Sequence, residues 1–268
     1  MMKVFNRAVT CCVLMLAVFC APALAQTAPQ GVGVANMIDH LHLAAPDPAK
    51  AVAWYQKYFG GENMAEGPDR MLYGQARLIF QKSDKALPSV DSVADEAGFS
   101  VKDVDATIKA MQADGVKIVT PVRALPGLYK AAVVEDPWGT RLEVVQDPQK
   151  LGLHHMHPRS TNASDSLAWY ADKFGGKVAK MKGRIDGIDY GGVWLLVENG
   201  TTTPSQGHSI DHIGFRPISV DGVIAALKAK NVKVLQEPRP LVIFEKTLVH
   251  MAFVEGPDAV RIELVQRD

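Results

Sequence analysis

The sequence predicts an α+β chain of four βαβββ-type units in two tandem pairs, and three observations carry that prediction. The chain repeats itself: Ala53-Trp54-Tyr55 followed by Phe59-Gly60-Gly61 recurs as Ala168-Trp169-Tyr170 followed by Phe174-Gly175-Gly176. At similar but not identical spacings, Asp95-Glu96-Ala97-Gly98-Phe99 recurs as Asp211-His212-Ile213-Gly214-Phe215, and Arg141-Leu142-Glu143 as Arg261-Ile262-Glu263. Such a repeat divides a fold before any local assignment is made. Each half then divides again, because apolar periodicity gives a strand, a helix and two or three strands, twice over.

The elements follow in order. Residues 37–43 form a short apolar strand. Ala49, Val52, Ala53, Tyr55 and Phe59 then keep the three-to-four spacing of an amphipathic helix, stopped by Gly60-Gly61. Asp47-Pro48 places a capping side chain before a proline in the first helical turn. Strands are expected at 71–73 and 76–81, and the second unit runs from a strand at 97–101 through a helix at 104–113 to strands at 116–120, 130–134 and 140–146. The same order returns from 153 to 197 and from 210 to 266. Asp103 and Asp165 are expected to cap the second and third helices, and Ser219 or Asp221 the fourth.

Pro148-Gln149-Lys150 with Gly152 marks a joint, so the first domain is placed at 37–147 and the second at 153–268. The stretch before them reads differently. Lys3 and Arg7 precede an apolar run at 8–19, and Ala23-Leu24-Ala25 supplies a small-residue cleavage site. Residues 1–25 therefore read as a secretory signal peptide and 26–36 as a flexible leader, which implies a periplasmic or secreted protein. The apolar run is too short to span a bilayer, and no membrane attachment is expected after cleavage. Cys11, Cys12 and Cys20 all fall within that segment, so the mature chain has neither disulfide nor thiolate ligand and relies on its core. Lys and Arg together number 29, as do Asp and Glu, with no basic stripe. That balance argues against nucleic acid as a partner.

Comparison of aligned positions exposes candidate chemistry. His40 and His42 on the first strand match His155 and His157 on the third unit's first strand. Glu96 stands where His212 stands, and Glu143 matches Glu263. Two histidines and a carboxylate from three strands can hold one divalent metal facially, leaving positions open for substrate. Taken by sequence half, the second domain offers His155, His212 and Glu263, and the first offers His40, Glu96 and Glu143. These ligand types suit Fe, Mn, Zn or Ni, and the missing thiolates argue against a closed structural zinc site.

Asp39-His40-Leu41 and Asp211-His212-Ile213 at strand starts, the Trp-Tyr…Phe-Gly-Gly helix ends, and Asp136-Pro137-Trp138-Gly139 before Arg141-Leu142-Glu143 together resemble the vicinal oxygen chelate superfamily. That group includes glyoxalases, bleomycin-resistance proteins and extradiol dioxygenases. The resemblance covers nearly all of 37–266 and implies paired units curled as mixed sheets around a cavity. It also implies that His155, His212 and Glu263 correspond to the iron-binding set of extradiol dioxygenases. The substrate would then be a small molecule with two adjacent oxygens. His157 or His250 would move protons and Arg216 would orient the substrate. The activity would be that of a dioxygenase or of a glyoxalase-like lyase or isomerase; the alternative is a metal-free protein that sequesters a small ligand, as bleomycin-resistance proteins do. The chain departs from the family pattern at Glu255-Gly256-Pro257-Asp258-Ala259, which replaces the Asp-Pro-Trp-Gly turn. No carboxylate lies at 78–81 or 195–197, where four-ligand glyoxalases place one, although Glu198 is close.

Overall fold

The computed structural model describes residues 37–243 and 247–267. The segment expected to be a signal peptide and leader, with all three cysteines, lies outside the described residues. Among the described residues no helix is long and apolar enough to cross a membrane.

Four units appear in the expected order. The first contains β1 (Ile38–Ala45), α1 (Pro48–Phe59), β2 (Glu62–Asn63), β3 (Arg70–Tyr73) and β4 (Ala76–Lys82). The second contains β5 (Ala94–Ser100), α2 (Val104–Ala113), β6 (Lys117–Ala124), β7 (Lys130–Glu135) and β8 (Arg141–Val145). The third contains β9 (Gly152–Ser160), α3 (Ala163–Phe174), β10 (Lys177–Met181), β11 (Ile185–Asp189), β12 (Trp194–Leu195) and β13 (Glu198–Asn199). The fourth contains β14 (Ile210–Phe215), α4 (Val220–Ala229), β15 (Val234–Ile243), β16 (Thr247–Glu255) and β17 (Arg261–Arg267).

The helix caps follow from short polar side chains. Asp47 accepts from the Lys50 amide ahead of Pro48, and Asp103 accepts from Ala106. Ser219 caps α4 through the Gly222 amide. At α3 the cap is Asn162 and not Asp165, which instead occupies the first turn and donates its amide to Asn162. Helices α1 and α3 both stop at a glycine in the left-handed region, Gly60 at φ 67° and Gly175 at φ 72°, where a side chain would be strained.

The units pair across the sequence halves. One sheet runs β15-β16-β17-β14-β1-β4-β3-β2, joining the first unit to the fourth. The other runs β10-β11-β12-β9-β5-β8-β7-β6, joining the second to the third. At each centre two first strands meet antiparallel, β1 on β14 and β5 on β9. The two halves expected as domains therefore build neither sheet alone. Chain connection accounts for this: β9 follows β8 after only a short turn and stays beside the second unit. The longer connections, 83–93 and 200–209, cross between sheets and bridge each other at Leu87 with His208 and Ser92 with Thr203.

Within each half, helix packing supplies the link that the sheets do not. Phe59 of α1 stacks on Phe99 of β5 at 4.5 Å, and Phe174 of α3 stacks on Phe215 of β14 at 4.6 Å. Tyr55, Phe80, Tyr170 and Tyr190 are fully buried around these pairs. Trp54 and Trp169 pack against the same core, as their helical spacing implies. No cysteine lies among the described residues, which are held together by burial of this aromatic surface.

Candidate metal centre

The strand registry between β1, β14 and β17 assembles the principal site. His42 lies opposite His212, and His40 opposite Gly214, whose other neighbour is Glu263 on β17. Gly214 is the enabling residue. A Cβ there would lie 2.1 Å from the His40 ring, so only glycine lets that ring cross β14 toward Glu263. Nε2 of His40 stands 3.1 Å from Oε2 of Glu263, and Nε2 of His212 stands 2.9 Å from the same oxygen. Nδ1 of His42 lies 2.9 Å from Nε2 of His212. One ligand atom from each of the four residues falls within 4.8 Å of all the others.

The outer ring nitrogens explain what this cluster is built to hold. Nδ1 of His40 faces Asp39 at 2.9 Å, and Nδ1 of His212 faces Asp211 at 2.6 Å. Each carboxylate draws the ring proton to Nδ1, so that each neutral ring turns its Nε2 lone pair toward Glu263. Two lone pairs and a carboxylate oxygen converging in a buried space require a cation. Where a proton supplies it, His40 is the carrier. Burial opposes its charge, but Glu263 and Asp39 outweigh burial and hold the ring above the ordinary histidine range. Glu263 is correspondingly held well below the ordinary carboxylate range, since His40 and His212 outweigh its burial. His42 behaves oppositely: burial, then the neighbouring His212 and His40, push it well down and keep it neutral. The donor set fits a divalent metal held by His40, His212 and Glu263, with His42 adjacent.

A cavity of about 220 Å³ opens on this cluster. Ile79, Leu241, Ile243, Met251, Phe253 and Val265 form its apolar wall, and Arg70, Gln81, Arg261 and Arg267 its polar wall. The Phe253 ring meets His212 edge-on at 5.1 Å, while the Arg261 guanidinium lies 3.9 Å from the centre of the Phe253 ring. A larger groove of about 500 Å³ beside α1 carries no comparable cluster of ligands among the described residues.

The second sheet holds a related but altered cluster. His155 lies over Gly98, where a Cβ would approach within 2.0 Å, as His40 lies over Gly214. Its Nε2 is 3.0 Å from Oε2 of Glu143, but without the alignment of a hydrogen bond. His157 is 3.7 Å from Glu143 and 3.3 Å from Glu198. Glu96 stands opposite His157 in register. Burial, with help from Glu143 and Asp95 and against His157, pushes Glu96 up to about 7. Burial also opposes the His157 charge, but Glu143 and Glu198 push that ring up to about 9. Where the first cluster has Asp39, this one has His154, whose Nδ1 lies 2.7 Å from Nδ1 of His155.

The second cluster has apolar neighbours. Tyr129, Ala131, Val145, Met181 and Leu196 form a separate buried apolar group beside it, joined by Leu125, Leu128, Ile185 and Trp194. The β6–β7 and β10–β11 hairpins come from opposite edges of the sheet, yet Arg184 lies so close to Gly127 that a Cβ there would stand 2.2 Å away. The two edges of the sheet thus meet at these hairpin tips.

These positions correct the sequence-based grouping. His155 does not join His212 and Glu263, and His40 does not join Glu96 and Glu143. His40 belongs with His212 and Glu263, and His155 and His157 with Glu143. The cause is the pairing of first strands across halves. His250 faces away from the cavity, 3.4 Å from Asp221 of α4. Its register partner Gln266 also turns to α4, accepting from the Val220 amide, whereas Met251 and Phe253 take the cavity face. Arg216 does not line the cavity; its Nε donates to buried Asp39 at 2.6 Å. Sequence reasoning did not include His42, Arg70, Gln81 and Arg267 in the site. Only His42 carried a signal, since it shares a strand face with His40.

The model of the Glyoxalase/Bleomycin resistance protein/Dioxygenase superfamily matches residues 37–144 and 152–264. Among solved structures, glyoxalase I from Zea mays superposes with TM-score 0.64 at 18% identity, covering 86% of this chain and 92% of that one. A point mutant of the same Zea mays enzyme gives TM-score 0.65 at 17% identity, covering 86% and 93%. A candidate dioxygenase from Bacillus subtilis gives 0.61 at 13% identity, covering 90% and 86%. At these identities the likeness is one of fold. No curated protein sequence matches the chain. The family match spans both halves and all four units, and the chain belongs to the glyoxalase, bleomycin-resistance and dioxygenase superfamily.

Proposed function

We propose that this protein is an exported, divalent-metal-dependent enzyme that acts on a small molecule with two adjacent oxygens at the His40–His212–Glu263 site. The observation that carries the proposal is the convergence of two Nε2 atoms and one carboxylate oxygen on a single point, with both Nδ1 atoms anchored by carboxylates. Two histidines and one carboxylate, leaving positions open, favour dioxygenase-type chemistry with Fe among Fe, Mn, Zn and Ni. Bound there, the metal would supply Lewis-acid polarisation of the two substrate oxygens.

The chain's own residues do the rest. His42 stays neutral beside the ligands, so a free ring nitrogen can take the proton of a substrate hydroxyl. Asp39 and Asp211 hold the His40 and His212 rings in one tautomer and orientation. Leu241, Ile243, Met251 and Phe253 give an apolar wall that limits water around the reacting oxygens. The second cluster is assigned no substrate. The segment at 1–25 supports export, and mature protein recovered from its host should begin at Gln26.

Elemental analysis of the purified mature protein, with titration by Fe, Mn, Zn and Ni, tests the proposal alongside His212→Ala. Stoichiometric metal in the wild type and its loss in the variant are expected. Oxygen uptake with catechols then separates dioxygenase chemistry from non-oxidative lyase or isomerase chemistry. A wild type that binds none of these metals removes the enzyme reading and leaves ligand sequestration.

A further inference from the structure

We infer that the second sheet holds a divalent metal ion of its own at His155, His157 and Glu143, and that this ion ties the second unit to the third. One ligand atom from each of the three residues lies within 4.8 Å of the other two. The set is not a copy of the first centre. There the two ligating imidazoles come from facing strands, β1 and β14, whereas the β5 position that matches His212 is Glu96. His157 supplies the missing imidazole from the same strand as His155. Since β5 lies between β9 and β8, the ligands must meet across it, and Gly98 leaves room for the His155 ring to do so. An ion held there joins β9 to β8 through side chains that no backbone pairing connects.

The hydrogen bonds behind the cluster turn both rings' lone pairs toward Glu143. Lys182 lies 2.6 Å from Asp147, and the same Asp147 oxygen accepts from Nε2 of His154 at 3.4 Å. A neutral, buried His154 then offers its Nδ1 lone pair to Nδ1 of His155, 2.7 Å away, so the proton on that bond belongs to His155. Nε2 of His155 is left bare, 3.0 Å from Oε2 of Glu143. That nitrogen is fully buried and has no hydrogen-bond partner among the described residues. His157 is held by a different anchor to the same effect. Its Nδ1 donates to the Leu196 carbonyl at 3.2 Å, with Glu198 3.3 Å away, and its Nε2 faces Glu143 at 3.7 Å. Acceptors face to face in a buried space need a cation between them. Two imidazoles and a carboxylate suit zinc or another divalent transition ion.

Zinc titration of protein with each site disabled in turn tests this. The wild type should bind two equivalents; His212→Ala should lose only the first centre's ion, and His155→Ala only the second's. Adding His157→Gln to His212→Ala should weaken the remaining site by more than about 100-fold, beyond the effect of losing a ligand's supporting partner. Thermal unfolding guards against a variant that fails to fold. Saturating zinc should raise the Tm of His212→Ala by roughly 5–10 °C, and the double variant, showing its own unfolding transition, should not shift. One equivalent in the wild type that vanishes in His212→Ala overturns the inference and leaves the first centre standing, with a proton on His157 to balance Glu143. One equivalent that survives His212→Ala and vanishes in His155→Ala supports the inference and overturns the first centre instead. Zinc affinity unchanged by His157→Gln also overturns the ligand set.

Discussion

Nε2 of His40 lies 3.1 Å from Oε2 of Glu263, although 223 positions separate the two residues along the chain. That contact ties the first strand to the last and makes the outer carboxylates the best place to test the metal centre. Asp39→Asn and Asp211→Asn should each weaken metal binding roughly 10- to 100-fold, the usual effect of losing a ligand's supporting carboxylate. Competition with a chromophoric chelator measures it. His155→Ala, in the other sheet, should leave this affinity unchanged.

Gly214→Ala should separate the ring from the site without removing any ligand. The new methyl would occupy space 2.1 Å from the His40 ring, so the ring must swing off β14. A loss of about 1–3 kcal/mol in denaturant unfolding is expected from the overpacking, together with loss of tight metal binding. Gly98→Ala meets His155 in the same way and should cost comparable stability while sparing the His40–His212–Glu263 site.

Stability of the protein should fall between about pH 6.5 and 9. Folding raises the His157 pKa from 6.5 to about 9, so its contribution is complete below 6.5 and disappears as pH rises through 9. His157→Gln should flatten this part of a pH series of urea unfolding curves, and the total change involved is on the order of 3 kcal/mol.

Glu96 acts in the same direction for a different reason. Folding raises its pKa from 4.5 to about 7, so the folded state favours the neutral acid and loses stability as pH rises across that range. Glu96→Gln should therefore stabilise the protein at pH 8, by roughly 1–3 kcal/mol, because an uncharged amide replaces a buried carboxylate. Thermal unfolding of the two proteins at pH 5 and pH 8 would show it: little difference at the lower pH, a clear gain at the higher.

His250→Ala and Arg216→Met separate bystanders from participants. His250 touches Asp221 on the helix side, so its loss should leave metal and ligand affinity within about twofold, the surface range. Arg216→Met removes one of three guanidinium partners from buried Asp39 and should cost stability, on the order of 1–3 kcal/mol, before it affects ligand binding.

The order of units, the helix stops at Gly60 and Gly175, and the individual ligands His40, His212 and Glu263 were all legible in the sequence, because each is a local or repeated signal. Which of them share a site was not. Ligand grouping depends on which first strands pair, and β1 presents the same apolar alternation whether its neighbour is β5 or β14. The strand face of His250 was illegible for a related reason. Parity along β16 is fixed by its register with β17, where Gln266 turns to α4, and no residue of β16 announces it. Arg216 was expected to orient the substrate, but only the fold shows that Asp39 claims it first. Residues 70 and 267 could not be joined to the site from sequence, since nothing local relates the start of β3 to the end of β17.

The shared sheet also sets when the metal centre comes into being. A chain that emerges N-terminus first carries His40 out early, but Glu263 follows only at its last strand. No intermediate that lacks β17 can offer the complete set of donors, and loop closure over this separation comes late in folding. On the proposed function, the site would take its metal from whichever compartment the chain is in when folding finishes. Export of an unfolded chain would then make the external supply of ions, and not the cytoplasmic one, decide which metal it holds.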